Sequence, residues 1–528
     1  MKLRLLALTC MLGFSTLRAA QPLPGQVMLD LDHPQSLVRH GGGRVFLCGP
    51  GDPENFLYRG ERNPDGTRRG DQVELIEKVA RHGGNTLYFQ TVRTHGGDAK
   101  TDLTHNPFVD SDPSKGLDSR ILDQWEQWLA LMDRHGIVIY FIFYDDGAEI
   151  WKTGNEVGAA ERTFFETLIR RFKHHRNLIW IVGEESEERY TTERVQALGR
   201  IIRDADNHGH IVGTHHLSGM TFRAWKEGGT LEHFSMQLTA PEDAVHAGAV
   251  EAIAKAEGRY QVIYSENTAT PKTVDAMRHF AWEVAMAGAM PLILQINIAD
   301  TPVETLAQCR ILQRFFEASD AHTMVARNRL AQGATRHVLA APGRSYIAYA
   351  RSTGALGLRD LPAGRCVVTW TDVRSGKSET RELVRTTGGD ATFERPLGIG
   401  DECAAWIRFP DGIATTPATL AAKRSSTGPT AAAANQPPVG RTEQIRTRRG
   451  VPVNVQLRFT DEDGPGPYSY AIIAEPRHGK LTGTDNDRTY TAPPNFTGQD
   501  RIVWKVNDGL ADSEPITVIL DVRPGAHK

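Results

Sequence analysis

Leu178-Ile179-Trp180-Ile181-Val182-Gly183-Glu184-Glu185 runs apolar for five residues and then ends in two carboxylates. An apolar run without alternation fits a strand covered on both faces, as in a parallel sheet. Gln261-Val262-Ile263-Tyr264-Ser265-Glu266 repeats the pattern and ends in a third carboxylate. Working outward from these two, further β-runs are read at Arg44–Cys48, Thr86–Val92, Ile137–Tyr144, Ile211–Thr214, Phe234–Leu238 and Leu292–Ile298. Helical spacing separates most of them, at Gln72–His82, Ile121–Arg134, Glu161–Phe172 and Val195–Ala205. Eight β-runs interleaved with helices predict a (β/α)8 TIM barrel over residues 27–322 rather than a doubly wound sheet. Gly49-Pro50-Gly51-Asp52 after the first run does not have the spacing of a dinucleotide-binding turn.

Polar residues gather at one end of these runs. Asp52, Arg93, His95, Asp145, Asp146, Glu184, Glu185, His215, Gln237, Glu266 and Asn297 all lie at or just beyond the C-terminal ends of the runs. In a barrel those positions ring the C-terminal mouth, where catalysis is housed. Two carboxylates from different strands can flank a glycosidic bond there. One protonates the leaving oxygen and the other attacks the anomeric carbon. The competing reading of Glu184-Glu185-Ser186-Glu187-Glu188 is an acidic helix start favoured by the helix dipole. The competing reading of Arg93 is a structural ion pair, and that of Asp145-Asp146 a capping turn. Tyr264 and Trp282 could stack on sugar faces or simply pack. The adjacent pairs His174-His175 and His215-His216 are read as poor metal sites, because neighbouring side chains diverge. No metal and no cofactor is expected.

The paired strand-end glutamates resemble those of the clan A retaining glycoside hydrolases. The closer resemblance is to cellulase-like, apiosidase-like secreted bacterial proteins, in which a small β-sandwich of the collagen-binding type follows the barrel. The resemblance implies Glu185 as acid/base and Glu266 as nucleophile, with Arg93 held against the nucleophile. It also implies a substrate contact at Glu184 and a place in the subsite wall for Asp52. From their rim positions Asp145, Asp146, Gln237, Tyr264 and Asn297 could contact substrate too, and His95 and His215 are read equally as substrate contacts or as satisfied polar residues. The clan has Asn before the strand-four Glu; here Glu184 stands in that place. An ionised carboxylate accepts hydrogen bonds but donates none, and it adds like charge beside the acid. Glu184 is therefore the alternative acid.

From residue 323 to 410 short β-runs divided by Gly and Pro predict the antiparallel β-sandwich. Residues 411–438 are rich in Ala, Thr, Ser and Pro and read as a linker. Residues 439–524 form a separate all-β module. There Ala474-Glu475-Pro476-Arg477-His478-Gly479-Lys480-Leu481, Asn495-Phe496-Thr497-Gly498 and Val506-Asn507-Asp508-Gly509 resemble bacterial cadherin-like, immunoglobulin-type repeats. Asp461-Glu462-Asp463 and Asp508 could bind Ca2+ or be plain acidic turns.

The chain of 528 residues carries 61 Lys+Arg and 64 Asp+Glu, a balance that offers no polybasic surface for nucleic acid. Lys2 and Arg4, the apolar run Leu5–Leu12 and Ala19-Ala20 read as a secretory signal over residues 1–20, too short for a membrane span. The expected location is extracellular or periplasmic. Cys366 and Cys403 could pair there or remain buried thiols. The function expected is hydrolysis of a poly- or oligosaccharide, with cell-surface or matrix contact through the C-terminal modules. The alternative is a non-catalytic adhesin on a decayed barrel.

Overall fold

The computed structural model describes residues 20–50, 56–93, 104–145, 148, 150–151, 153–216, 229–237, 240–266, 273–292, 298–410, 437–440, 442–457, 459–461, 468–484, 486–508 and 511–523. The chain divides into two compact units, Met1–Ile413 and Ala414–Lys528.

The first unit is built on a curled parallel sheet of seven strands. In order they are Thr86–Gln90, Val138–Ile142, Leu178–Ile181, Ile211–His216, His233–Gln237, Gln261–Glu266 and Met290–Pro291. Helices α1 (Gln72–His82), α2 (Ser119–Arg134), α3 (Ala159–Phe172), α4 (Thr192–Ala205), α5 (Glu242–Ala256), α6 (Val274–Ala285) and α7 (Val303–Ala318) accompany them. This is a TIM-like barrel. The continuous apolar strands are buried along their whole length because helices cover one side and the barrel interior the other. Phe141 packs outward on Phe172 of α3, while Tyr140 points inward to His233 across the barrel.

Two strand assignments need correction. The run Arg44–Cys48 is a ladder strand only at Arg44–Val45, where it joins Val27–Leu29 and Leu37–Arg39 in a small antiparallel sheet. Phe46–Cys48 instead closes the barrel through side chains and a single backbone bond, the Asn85 amide to the Cys48 carbonyl at 3.3 Å. Asn85 donates from Nδ2 to the Phe46 carbonyl at 2.9 Å and accepts from the Cys48 amide at 3.0 Å. Gln313 of α7 donates to the Cys48 carbonyl at 2.6 Å. The last barrel strand is Met290–Pro291, earlier than the run Leu292–Ile298; residues 293–297 lie outside the described residues.

A β-sandwich follows. Its six-stranded sheet runs in the order Val325–Ala326, His337–Ala341, Ser345–Arg351, Glu402–Arg408, Gly364–Asp372, Ser378–Arg385. Its three-stranded sheet is Ala331–Gly333, Leu356–Leu361, Gly389–Phe393. Leu339, Ile347, Tyr349, Val373 and Ala404 belong to the same apolar core as the barrel. All four described cysteines are buried free thiols. Cys403 pairs with Asp372 in the ladder, six residues along the strand from Cys366. That is about 20 Å at 3.3 Å per residue, far beyond a disulfide's roughly 4.4–6.8 Å between Cα atoms. The Cys366–Cys403 pairing is therefore excluded.

The second unit is an all-β module. One sheet is Glu443–Arg448, Ile516–Arg523, Gly498–Asn507, Ser469–Ala474; the other is Pro452–Gln456, Asp487–Thr491, Lys480–Thr484. The motif around Gly479 has a physical reason. The buried Asp500 carboxylate accepts from the amides of Arg477, His478 and Gly479 and from Tyr490 Oη at 2.8–3.0 Å. A Cβ at Gly479 would lie 2.2 Å from the Tyr490 ring. The acidic turns are used locally: Asp508 accepts from the Ala511 amide at 2.7 Å, and Asp461 from Tyr468 Oη at 3.0 Å. Glu462, Asp463 and the linker at 411–436 lie outside the described residues.

Candidate active site

Each candidate side chain is placed by a strand end. The strand Thr86–Gln90 turns Tyr88 and Gln90 into the barrel, where Tyr88 meets Tyr140 at 5.8 Å and His215 at 6.1 Å between ring centroids. Tyr88 Oη donates to Glu184 Oε1 at 2.9 Å, and Gln90 Nε2 donates to Glu184 Oε2. Glu184 is buried, and its amide donates to the Tyr144 carbonyl at 2.9 Å. Both of its carboxylate oxygens thus receive a donor from the strand Thr86–Gln90. This fits a fixed anion better than a proton donor.

Glu185 differs from its neighbour through its backbone. It sits at φ 38°, ψ 41°, the left-handed region, which is strained for a residue with a Cβ. Its amide donates to His215 Nδ1 at 3.1 Å, and its carbonyl accepts from Glu188 at 2.9 Å. The acidic run then makes a single turn of 3-10 helix, Ser186–Glu188. His216 Nδ1 lies 2.5 Å from Glu187 Oε1.

His215 links the two strand ends. Because Nδ1 accepts the Glu185 amide, the ring carries its proton on Nε2. That nitrogen lies 3.9 Å from Glu266 Oε2. Burial, with the nearby charge of His216, lowers the His215 pKa from 6.5 to about 3, so the ring stays neutral. One ligand-type atom each from Glu184, His215 and Glu266 lies within 4.8 Å of the others. Such a set could hold a cation, yet Glu184 already accepts two donors and His215 presents an N–H rather than a lone pair. The Tyr88 hydroxyl is pushed well above its ordinary pKa by burial and then by the charges of Glu184, Glu266 and Glu185. The three carboxylates therefore share one small region.

Gln237 is buried and sits opposite Glu266 in the ladder. Arg93 and Asp145 are buried together near Tyr58: burial raises the Tyr58 pKa, Arg68 and Arg93 lower it, and Asp145 raises it. The Asp145 amide donates to the Val92 carbonyl at 3.1 Å. Asp52, His95, Asp146 and Asn297 lie outside the described residues.

Two aromatic candidates are packing residues. Tyr264 is fully buried, its ring edge-on to Phe280 of α6 at 5.0 Å, in the strand–helix layer. Trp282 is buried and stacks on Tyr349 of the sandwich at 5.2 Å. Sequence reasoning missed Tyr88 and Gln90. Their signal was a polar residue at every second place in the strand Thr86-Leu87-Tyr88-Phe89-Gln90, on the face opposite Leu87 and Phe89.

Residues 65–292 match the family described as apiosidase-like, catalytic domain. The barrel is an apiosidase-like glycoside hydrolase domain. Residues 435–521 match the bacterial Ig domain family. Among solved structures, a glycoside hydrolase family 5 protein from Bacteroides vulgatus shares 14% identity at a TM-score of 0.56, covering 74% of this chain and 95% of its own. Another glycoside hydrolase matches at 14% identity and a TM-score of 0.56, covering 74% of this chain and 99% of its own. At that identity the likeness is one of fold. No curated protein matches the chain. The mouth of the apiosidase-like domain is where Glu184, Glu185 and Glu266 converge.

Proposed function

We propose that the chain is a secreted retaining glycosidase, with Glu185 as acid/base and Glu266 as nucleophile. The observation that carries the reading is the convergence of Glu184, His215 and Glu266 at one mouth, with Glu185 adjoining on a strained backbone. Glu184 is held as an anion by Tyr88 and Gln90, which leaves Glu185 to carry the proton. In the first step Glu185 protonates the glycosidic oxygen while a Glu266 carboxylate oxygen bonds to the anomeric carbon. The bond to the leaving group breaks and a glycosyl ester forms. Water, deprotonated by Glu185, then displaces Glu266. His215 Nε2–H lies 3.9 Å from Glu266 Oε2, close enough to meet it once the carboxylate shifts toward substrate. The chemistry is acid–base and nucleophilic throughout.

The sugar is a poly- or oligosaccharide unit, and the family description makes an apioside the first substrate to try. Export is inferred from Lys2, Arg4 and the apolar run Leu5–Leu12, and residues 1–19 lie outside the described residues. The test of mechanism is the anomer released first, followed by proton NMR on an apioside and a panel of aryl glycosides. Net retention is expected, and Glu266→Gln should abolish turnover in a folded protein. Inversion would remove the nucleophile role, and wild-type turnover in Glu266→Gln would remove the residue from the site.

A further inference from the structure

Adjacent histidines usually diverge, and His174-His175 was expected to make a poor metal site. These two converge instead. Both residues follow α3 in a turn fixed by the His175 amide on the Phe172 carbonyl at 3.1 Å. Their rings lie 4.2 Å apart at 37°, nearly side by side. Both Nε2 atoms face one oxygen of Glu126 on α2: His174 at 2.9 Å and His175 at 3.1 Å from Oε1. One ligand-type atom from each of the three residues falls within 4.8 Å of the others.

We propose that Glu126, His174 and His175 form a binding site for a zinc-type divalent transition metal on the outside of the barrel. Two imidazoles and a carboxylate are a donor set that zinc accepts, with water in the fourth place. On a tetrahedral ion with bonds of roughly 2.0–2.1 Å, ligand atoms stand about 3.3 Å apart. The observed 2.9 and 3.1 Å need open by only a few tenths of an ångström.

A second observation points the same way. His175 is 3% exposed, and its Nε2 is buried without a hydrogen-bond partner of proper geometry, as is Glu126 Oε2. A cation bonded to His175 Nε2 would satisfy the first. Arg171 Nε lies 3.5 Å from Glu126 Oε2, which leaves Oε1 turned to the histidines. The His175 carbonyl is also anchored, accepting from His210 Nε2 at 2.9 Å. His174 is 56% exposed, so the ion has an entry path. The site precedes the strand Leu178–Ile181, whereas Glu184 and Glu185 follow it. It thus lies at the end of the barrel remote from the mouth, where residues serve stability. The metal would tie α2 to the turn between α3 and its strand.

The full chain, stripped with a chelator, is titrated with zinc chloride by calorimetry and melted with and without the ion. One bound zinc is expected, with a rise of about 2 °C in Tm when free zinc is about tenfold above Kd. Glu126→Gln and His174→Ala should each weaken binding by about tenfold or more and abolish the rise. His174 is exposed, so His174→Ala should keep the metal-free Tm of the wild type. Absence of zinc binding in the wild-type chain overturns the proposal. So does undiminished binding in both variants, which would move the ion elsewhere.

Discussion

Glu184 and Glu185 are chemically identical and adjacent, and only their surroundings separate their roles. Glu184 is buried with a donor on each carboxylate oxygen. Glu185 is less buried, and its backbone is left-handed. Such a conformation costs about 1–3 kcal/mol for a residue with a Cβ. The Glu185 amide on His215 and its carbonyl to Glu188 hold it in place. Replacing Glu185 with Gln removes a proton donor and conserves shape. Turnover should fall by roughly 10²–10⁴-fold on glycosides with poor leaving groups. On dinitrophenyl glycosides, whose departure needs no proton, kcat/KM should change little, while kcat still falls because the second step loses the base that deprotonates water. Glu184→Gln places an amide where two donors converge, so both substrate types should suffer alike. Steady-state rates on the paired substrates decide the matter. A leaving-group signature in Glu184→Gln but not in Glu185→Gln would make Glu184 the acid.

At the scale of elements, α6 shows why a helix cannot be read alone. Its Arg278 and Glu283 would be solvent-facing charges on an isolated barrel helix, yet both are buried. The sandwich supplies their partners. Glu283 meets Arg336 at 2.6 Å, His337 at 2.5 Å and Arg351 at 3.3 Å; Arg278 meets Glu402 at 2.6 Å. Glu283→Gln leaves Arg336 and Arg351 without their buried counter-charge. The expected loss is about 3–5 kcal/mol of stability, measured by denaturant unfolding of the purified variant. A change within experimental error would mean that water reaches the cluster. The same helix decides between the two readings of Trp282, whose platform is Tyr349 and not a sugar. Tyr264 was misread for a local reason. Strict alternation puts it on the same face as Glu266, but the register jumps from Tyr264 opposite Met236 to Glu266 opposite Gln237. Ser265 is the extra residue of a bulge, and a bulge turns the following side chain to the other face. What was legible were strands with an uninterrupted apolar run, and hence the carboxylates at their ends. What was not legible were features made by contacts remote in sequence. Phe46–Cys48 completes the barrel through Asn85 and Gln313 rather than through a ladder. Leu356–Leu361 hides its alternation behind Gly357 and the left-handed Asp360.

For the molecule as a whole, buried histidines set how the first unit answers acid. Burial, with the His216 charge, holds His215 at about 3; burial, against a hydrogen bond with Gln261, holds His233 at about 3. Burial and the charge of His337 hold His246 at about 4. In the unfolded chain these rings titrate near 6.5. Below that pH the unfolded chain binds protons that the folded one refuses, so stability falls as pH falls. The window runs from about 6.5 down to the folded values. At roughly 1.4 kcal/mol per pKa unit, His215 and His233 should each remove on the order of 2–3 kcal/mol by pH 4.5. Carboxylates act lower down. Burial pushes Glu283 up, but His337 and Arg336 outweigh it and bring the group to about 2; His210 does the same for Asp206, also to about 2. Their contribution is present above the unfolded carboxylate range and is lost as pH falls from there toward 2. Both families of groups therefore favour the folded state at neutral pH. Calorimetric melts of the full chain should show a first-unit Tm that is level above about pH 7 and drops steadily between pH 6.5 and 4.5, before most carboxylates titrate. His233→Gln removes one ring that charges only on unfolding, so its Tm should depend less steeply on pH across that interval. A Tm that holds or rises from pH 7 to 5 would mean that these rings take up protons while the protein stays folded, and that water enters the barrel interior around Tyr140 and His233.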